Sequence, residues 1–378
     1  MHRLIRTLLT LCTLLLTALL LSGTCFAETE LPPELSDTLS QADEMVPEAA
    51  REALSESEIS FQEPESVLEL SPSDYLHRFL RTLKQEAAAP LTLLGALLSL
   101  TLLSSLLSGL SDTVTESGMR RLVGTLCVLI CTAGAARPLC GCLRRTAEAL
   151  QTGQLFMLSF VPVFSAFLAA GGHAASGAAY QVFILFLSET VMQLTNALLF
   201  PLLQTAAAIG IVDAVNPELR LGGFVSGFRT AVTWTLTSLM TLFSALLSVR
   251  SFVAASADSL AAKSVKLLSS SLIPIVGSAV SDAYGTVQGS LRLVRNGAGA
   301  IGILVLLALI LPPLLSLLLY RAVFAAARIF ADAAGTDALS ALFKHIQSVL
   351  AAAFAMLICF AVMLIFSCAI LLLLTNGA

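Results

Sequence analysis

The sequence predicts an all-α protein that crosses a bilayer about six to eight times as a polytopic helical bundle. Three observations lead there. Hydrophobic residues fill 57% of the 378 positions and charged residues only 12%, about half the charged share of a soluble domain, so a water-soluble fold of this size would lack the polar groups to cover its surface. The apolar residues are gathered into runs of about 20, the length that carries a helix across a hydrocarbon core of about 30 Å. Charge is also segregated: residues 28–86 hold 15 of the 25 acidic and four of the 21 basic residues, while residues 87–378 hold 15 basic against ten acidic. The basic residues are scattered between apolar runs, which excludes the basic, aromatic-lined face of a nucleic-acid binder.

Residues 1–27 have the form of a cleavable signal peptide: Arg3 and Arg6, an apolar stretch over 8–21, and Cys25-Phe26-Ala27 as the small-x-small end before Glu28. A lipoprotein signal needs a small residue before the cysteine, and Thr24 suits that poorly. Residues 28–86 then form an exported acidic segment with two short amphipathic helices. In the first, Leu31, Leu35, Leu39, Ala42 and Val46 recur at helical spacing. The second starts at Ser71-Pro72-Ser73-Asp74, an N-cap serine followed by proline at the first helical position. Its face of Leu76, Phe79, Leu80 and Leu83, bordered by His77, Arg78, Arg81 and Lys84, suits a membrane surface or a partner protein equally.

The membrane domain is expected over 87–378. Six segments are long and apolar enough to span, near 88–110, 122–139, 178–200, 230–249, 297–320 and 346–374, and a seventh, 155–172, is interrupted by Pro162. Landmarks recur about 112 residues apart: Arg137 with Arg250, Pro162 with Pro274, Pro201 with Pro312. This defines repeat units of about 120–228 and 229–343, with a partial third, 344–378, whose start at Phe343-Lys344 matches Phe228-Arg229. Paired interrupted segments mark functional positions in transport proteins built from repeats. The stretch 269–290 carries Pro274, Gly277, Ser281 and Asp282 and is too polar for a regular span, so it is expected to be re-entrant or interfacial. Arg120-Arg121, Arg229 and Lys344 fall on the cytoplasmic side if the proline segments do not cross.

Glu189 is the clearest candidate residue. An ionisable group at membrane depth costs roughly 2.5 to 3.5 kcal/mol, and Glu189 sits in mid-span with Gln181, Ser188 and Gln193 nearby. These are expected to form a polar stripe facing the bundle interior, either on a conducting path or as an interhelical hydrogen bond. Asp282 is expected to be a pathway residue or to pair with Arg292 or Arg295, the latter only if its segment folds back. Small residues at 95–99, 134–136, 206–210 and 351–355 would let helices approach closely. Cys140 and Cys142 form an isolated C-x-C without a second pair, and packing explains them better than metal. No catalytic, cofactor or metal constellation stands out, so an enzyme is not expected.

The string Ile273-Pro274-Ile275-Val276-Gly277, continuing through Ser281-Asp282-Ala283 and followed by Asn296-Gly297-Ala298-Gly299, resembles the stage III sporulation protein AE family. The likeness extends to the export signal, the acidic segment and the polytopic body. It implies a membrane component of a trans-envelope channel between mother cell and forespore, placed in the mother-cell membrane that surrounds the forespore, with residues 28–86 extracytoplasmic. Implied partners are other stage III sporulation proteins, including an ATPase, and membrane lipid. Self-assembly is a further expectation. A stand-alone solute permease and a non-conducting scaffold are the alternatives.

Overall fold

The computed structural model describes residue 47 and residues 72–111, 117–170, 174–219, 221–245 and 277–373. The signal peptide, the first amphipathic helix of the acidic segment, Pro274 and the link around Arg250 lie outside the described residues. All the regular structure described is helical: α1 (Pro72–Ser111), α2 (Ser117–Ala170), α3 (Ala174–Leu194), α4 (Phe200–Val215), α5 (222–245), α6 (Gly277–Ala333) and α7 (Asp337–Leu373). The protein is thus an all-α polytopic membrane bundle. Five stretches are long and apolar enough to cross a bilayer: Phe79–Leu107, Gly124–Ala166, Gly177–Val215, Gly299–Ala333 and Asp337–Cys368.

Helix α5 owes its lower apolarity to threonine. Thr230, Thr233, Thr237 and Thr241 each donate to the carbonyl four residues back at 2.8 to 2.9 Å. Their hydroxyl protons are therefore satisfied within the helix, and the face can meet an apolar medium without orphaned donors.

Proline does less to these helices than the sequence suggests. Pro138 and Pro162 both lie inside α2, which runs on through them for 54 residues, about 80 Å at 1.5 Å per residue. A helix that does not reverse crosses a bilayer once, so the run around Pro162 continues α2 and adds no crossing. At 277–290, within the stretch expected to be re-entrant or interfacial, the backbone is the first part of the 57-residue α6, ahead of its membrane-crossing stretch Gly299–Ala333, and residues 269–276 lie outside the described residues. The side chains of Asp282, Arg292 and Arg295, and with them the expected pairing, lie outside the described residues. Pro201 is where a disturbance does occur. Missing an N–H and crowding the carbonyl four residues before it, it follows a π-helical turn, Thr195–Leu199, which widens the chain between α3 and α4.

Helices α6 and α7 form the centre, with Val305, Leu306, Leu317, Phe324, Leu342, Phe343, Leu350 and Leu357 all at 0% exposure. The others surround them and turn many large side chains outward, among them Leu102, Leu106, Leu126, Phe186 and Trp234. Three contacts gather helix ends at one end of the bundle. The Ser105 hydroxyl on α1 donates to the Ala334 carbonyl after α6 at 3.0 Å, Asp213 near the end of α4 accepts from the Gly222 amide that opens α5 at 3.0 Å, and His345 on α7 meets Asp213 at 2.8 Å. At the opposite end the Tyr180 hydroxyl, early in α3, donates to the Ser367 carbonyl, late in α7, at 2.8 Å. Direction therefore alternates along the chain, and the described residues make six antiparallel passages if α3 and α4 count as one.

Glycine sorts the small-residue stretches. A Cβ on Gly210 would lie 2.7 Å from the His345 Cβ, and one on Gly302 would lie 2.7 Å from the Phe160 ring. Gly95 and Gly134, expected to serve close approach, have nothing within 4 Å of that position. Replacing Gly302 by Ala should therefore destabilise the bundle by about 1 to 3 kcal/mol through overpacking, whereas Gly95→Ala should be neutral or slightly stabilising. Thermal unfolding of the detergent-solubilised variants checks both.

Candidate functional site

Two polar sites interrupt the apolar body. The first is built on Glu189, about a third of the way along the Gly177–Val215 stretch. Its Oε2 accepts from the Gln154 side-chain amide of α2 at 2.8 Å, and its Oε1 accepts from the Gln193 amide, one turn along α3, at 3.0 Å. Gln154 is buried between the helices, yet Glu189 and Gln193 are exposed. The expected inward stripe is thus turned outward. Its register explains why: Phe183, Ile184, Leu187, Val191 and Met192 take the buried face of α3, which leaves positions 189 and 193 on the opposite side. Ser188 is buried, and its hydroxyl has no hydrogen-bond partner.

The second site, Asp213 with His345, joins residues 132 positions apart. The carboxylate takes the His345 ring nitrogen on one oxygen and the Gly222 amide on the other, so it caps the start of α5 and ties it to α7. The side chains are only 10% and 14% exposed, which makes the loss of either partner costly. The next hairpin is built alike. Asp332, three residues before the turn glycine Gly335, accepts from the Ser340 hydroxyl in the first turn of α7, as Asp213 lies three residues before Asn216, the cap of α4. Gly335 has φ of 67°, and Thr336 donates back to Ala331, closing α6 in a Schellman turn.

Of the residues singled out from sequence, the structure brings together Glu189 and Gln193. Pro162 lies two turns beyond Gln154 on α2. Gly277 opens α6, with Ser281 and Asp282 in its first turns; their side chains, like Pro274, lie outside the described residues. Sequence reasoning missed Gln154 and the Asp213–His345 pair. The only signal for the pair was a lone carboxylate at the end of an apolar run. Cys140 and Cys142 diverge, Cys140 exposed and Cys142 buried against Ser316, and the described residues contain no cluster of three or more metal-ligating side chains.

The profile of the family described as stage III sporulation protein AE matches residues 61–375. The chain belongs to that family. Its similarity to the stage III sporulation protein AE of Bacillus subtilis (strain 168) is 26% identity over 248 residues, covering 66% of this chain and 62% of the relative. The match thus spans less than two thirds of the relative's own length. No solved structure matches. The family is one of sporulation proteins, and the apolar helices make this member a membrane protein.

Removing the Asp213 carboxylate leaves the Gly222 amide and His345 without their acceptor. Asp213→Ala should cost about 1 to 3 kcal/mol, and Asp213→Asn, which keeps an acceptor for Gly222, should cost less. Thermal unfolding of the two variants side by side gives the order.

Proposed function

We propose that this protein is the membrane component of a trans-envelope channel complex between mother cell and forespore, lodged in the mother-cell membrane that surrounds the forespore. It works with other stage III sporulation proteins and draws energy from a partner ATPase. This reading assigns it no catalysis. The observation that carries it is the charged site at Glu189. A carboxylate held by two amides, on the outward face of a helix of membrane-crossing length, is costly against lipid and useful beside water or another protein. The family match supplies the sporulation setting. A scaffold would need the fold but not the charge.

The charge can be removed with the shape kept. Glu189→Gln should assemble and reach the forespore boundary at wild-type levels while the yield of heat-resistant spores falls by about tenfold or more. Counting spores beside membrane fractionation and imaging of the variant reads both quantities. Wild-type spore yield would leave the charge without a role and favour the scaffold.

A further inference from the structure

The polar surface at Glu189 continues on both helices that form it. On α2, Arg144, Glu148 and Gln151 are exposed and follow one another at helical spacing toward Gln154. On α3, Glu189 and Gln193 lead on to exposed Asn196 in the π-helical turn that follows. The helices are antiparallel and joined at Gln154–Glu189, so the two stripes lead away from that junction in the same direction. Neither is covered by the rest of the chain described, although both belong to stretches long and apolar enough to cross a bilayer.

We propose that this two-helix stripe is the face by which the protein associates with a second copy of itself, about a two-fold axis passing near Gln193. Its chemistry selects that occupant. Lipid would leave the amides of Gln151 and Asn196 unsatisfied. A cationic partner would answer only Glu189 and leave the amides of Gln151 and Asn196 without acceptors for their donors. Arg144 is neutralised by Glu148 at 2.8 Å on its own helix. What remains is primary amide, and each amide carries donor and acceptor together. Such a surface complements itself, as an isologous contact requires, and side-chain amides of this kind hold membrane helices together.

The inference rests on the membrane placement of α2 and α3 that the proposed function also uses, but it concerns assembly alone. The test is oxidative cross-linking of the full-length protein in vesicles of phosphatidylglycerol and phosphatidylethanolamine at low protein-to-lipid ratio. Cys140, exposed on α2 one turn before Arg144, is first replaced by Ser. The other described cysteines are buried, and exposed cysteines are then introduced one at a time by Gln193→Cys, by Asn196→Cys, and by Leu102→Cys on the outward face of α1 as control. Covalent dimer at positions 193 and 196, about tenfold above the control, is the expected result. Gln151→Leu with Asn196→Leu should lower the dimer at Gln193→Cys by about tenfold. Dimer no greater than the control at both stripe positions overturns the proposal. So does a cross-link from position 193 in sporulating cells to a different membrane protein without the copy-to-copy product. A stripe dimer in a protein whose Glu189→Gln form sporulates normally would keep the interface and remove the proposed role of the charge.

Discussion

The rest of this structure depends on one constraint: in hydrocarbon there is no water to satisfy a backbone amide or carbonyl, so each must find its partner within the chain. Helices satisfy it internally, which is why proline is absorbed rather than obeyed. Pro138, Pro162, Pro312 and Pro313 sit inside helices that run on past them, and Pro201 is met by one π-helical turn. Breaking a helix in lipid would expose several groups, whereas bending or widening it sacrifices far fewer.

Without a hydrophobic drive between helix and lipid, shape and hydrogen bonds decide which helices sit together. Gly210 lets α4 press against His345, and Gly302 receives the Phe160 ring. Around these close approaches the polar groups are placed sparingly. Asp213 connects three elements with one carboxylate, and Gln154 links α2 to α3 through Glu189. The Asp213 site closes the bundle at its turn end; the Glu189 site opens outward, which is what separates a structural clamp from a surface available to something else.

The helical class and most of the spans were legible in the sequence because an apolar run of about 20 residues is a strong and local signal. The resemblance carried by 273–283 was legible for the same reason, being contiguous. What could not be read was orientation about the helix axis. Glu189 was identified, but its face depended on how Phe183, Ile184 and Leu187 packed, and an all-round apolar helix carries no periodicity to tell inside from outside. The Asp213–His345 pair was out of reach because it joins positions 132 residues apart. The run around Pro162 was misjudged because a residue that breaks soluble helices is tolerated where the helix has no alternative.

The central claim is the alternation of six passages with the turns after α4 and α6 at one end. Accessibility of single cysteines to a membrane-impermeant reagent tests it most directly, in a Cys140→Ser background. Glu218→Cys and Asp337→Cys, both exposed beside those turns, should label from the same side of the membrane, and Ala169→Cys, exposed near the end of α2, from the other. Labelling of positions 218 and 337 from opposite sides would contradict the account.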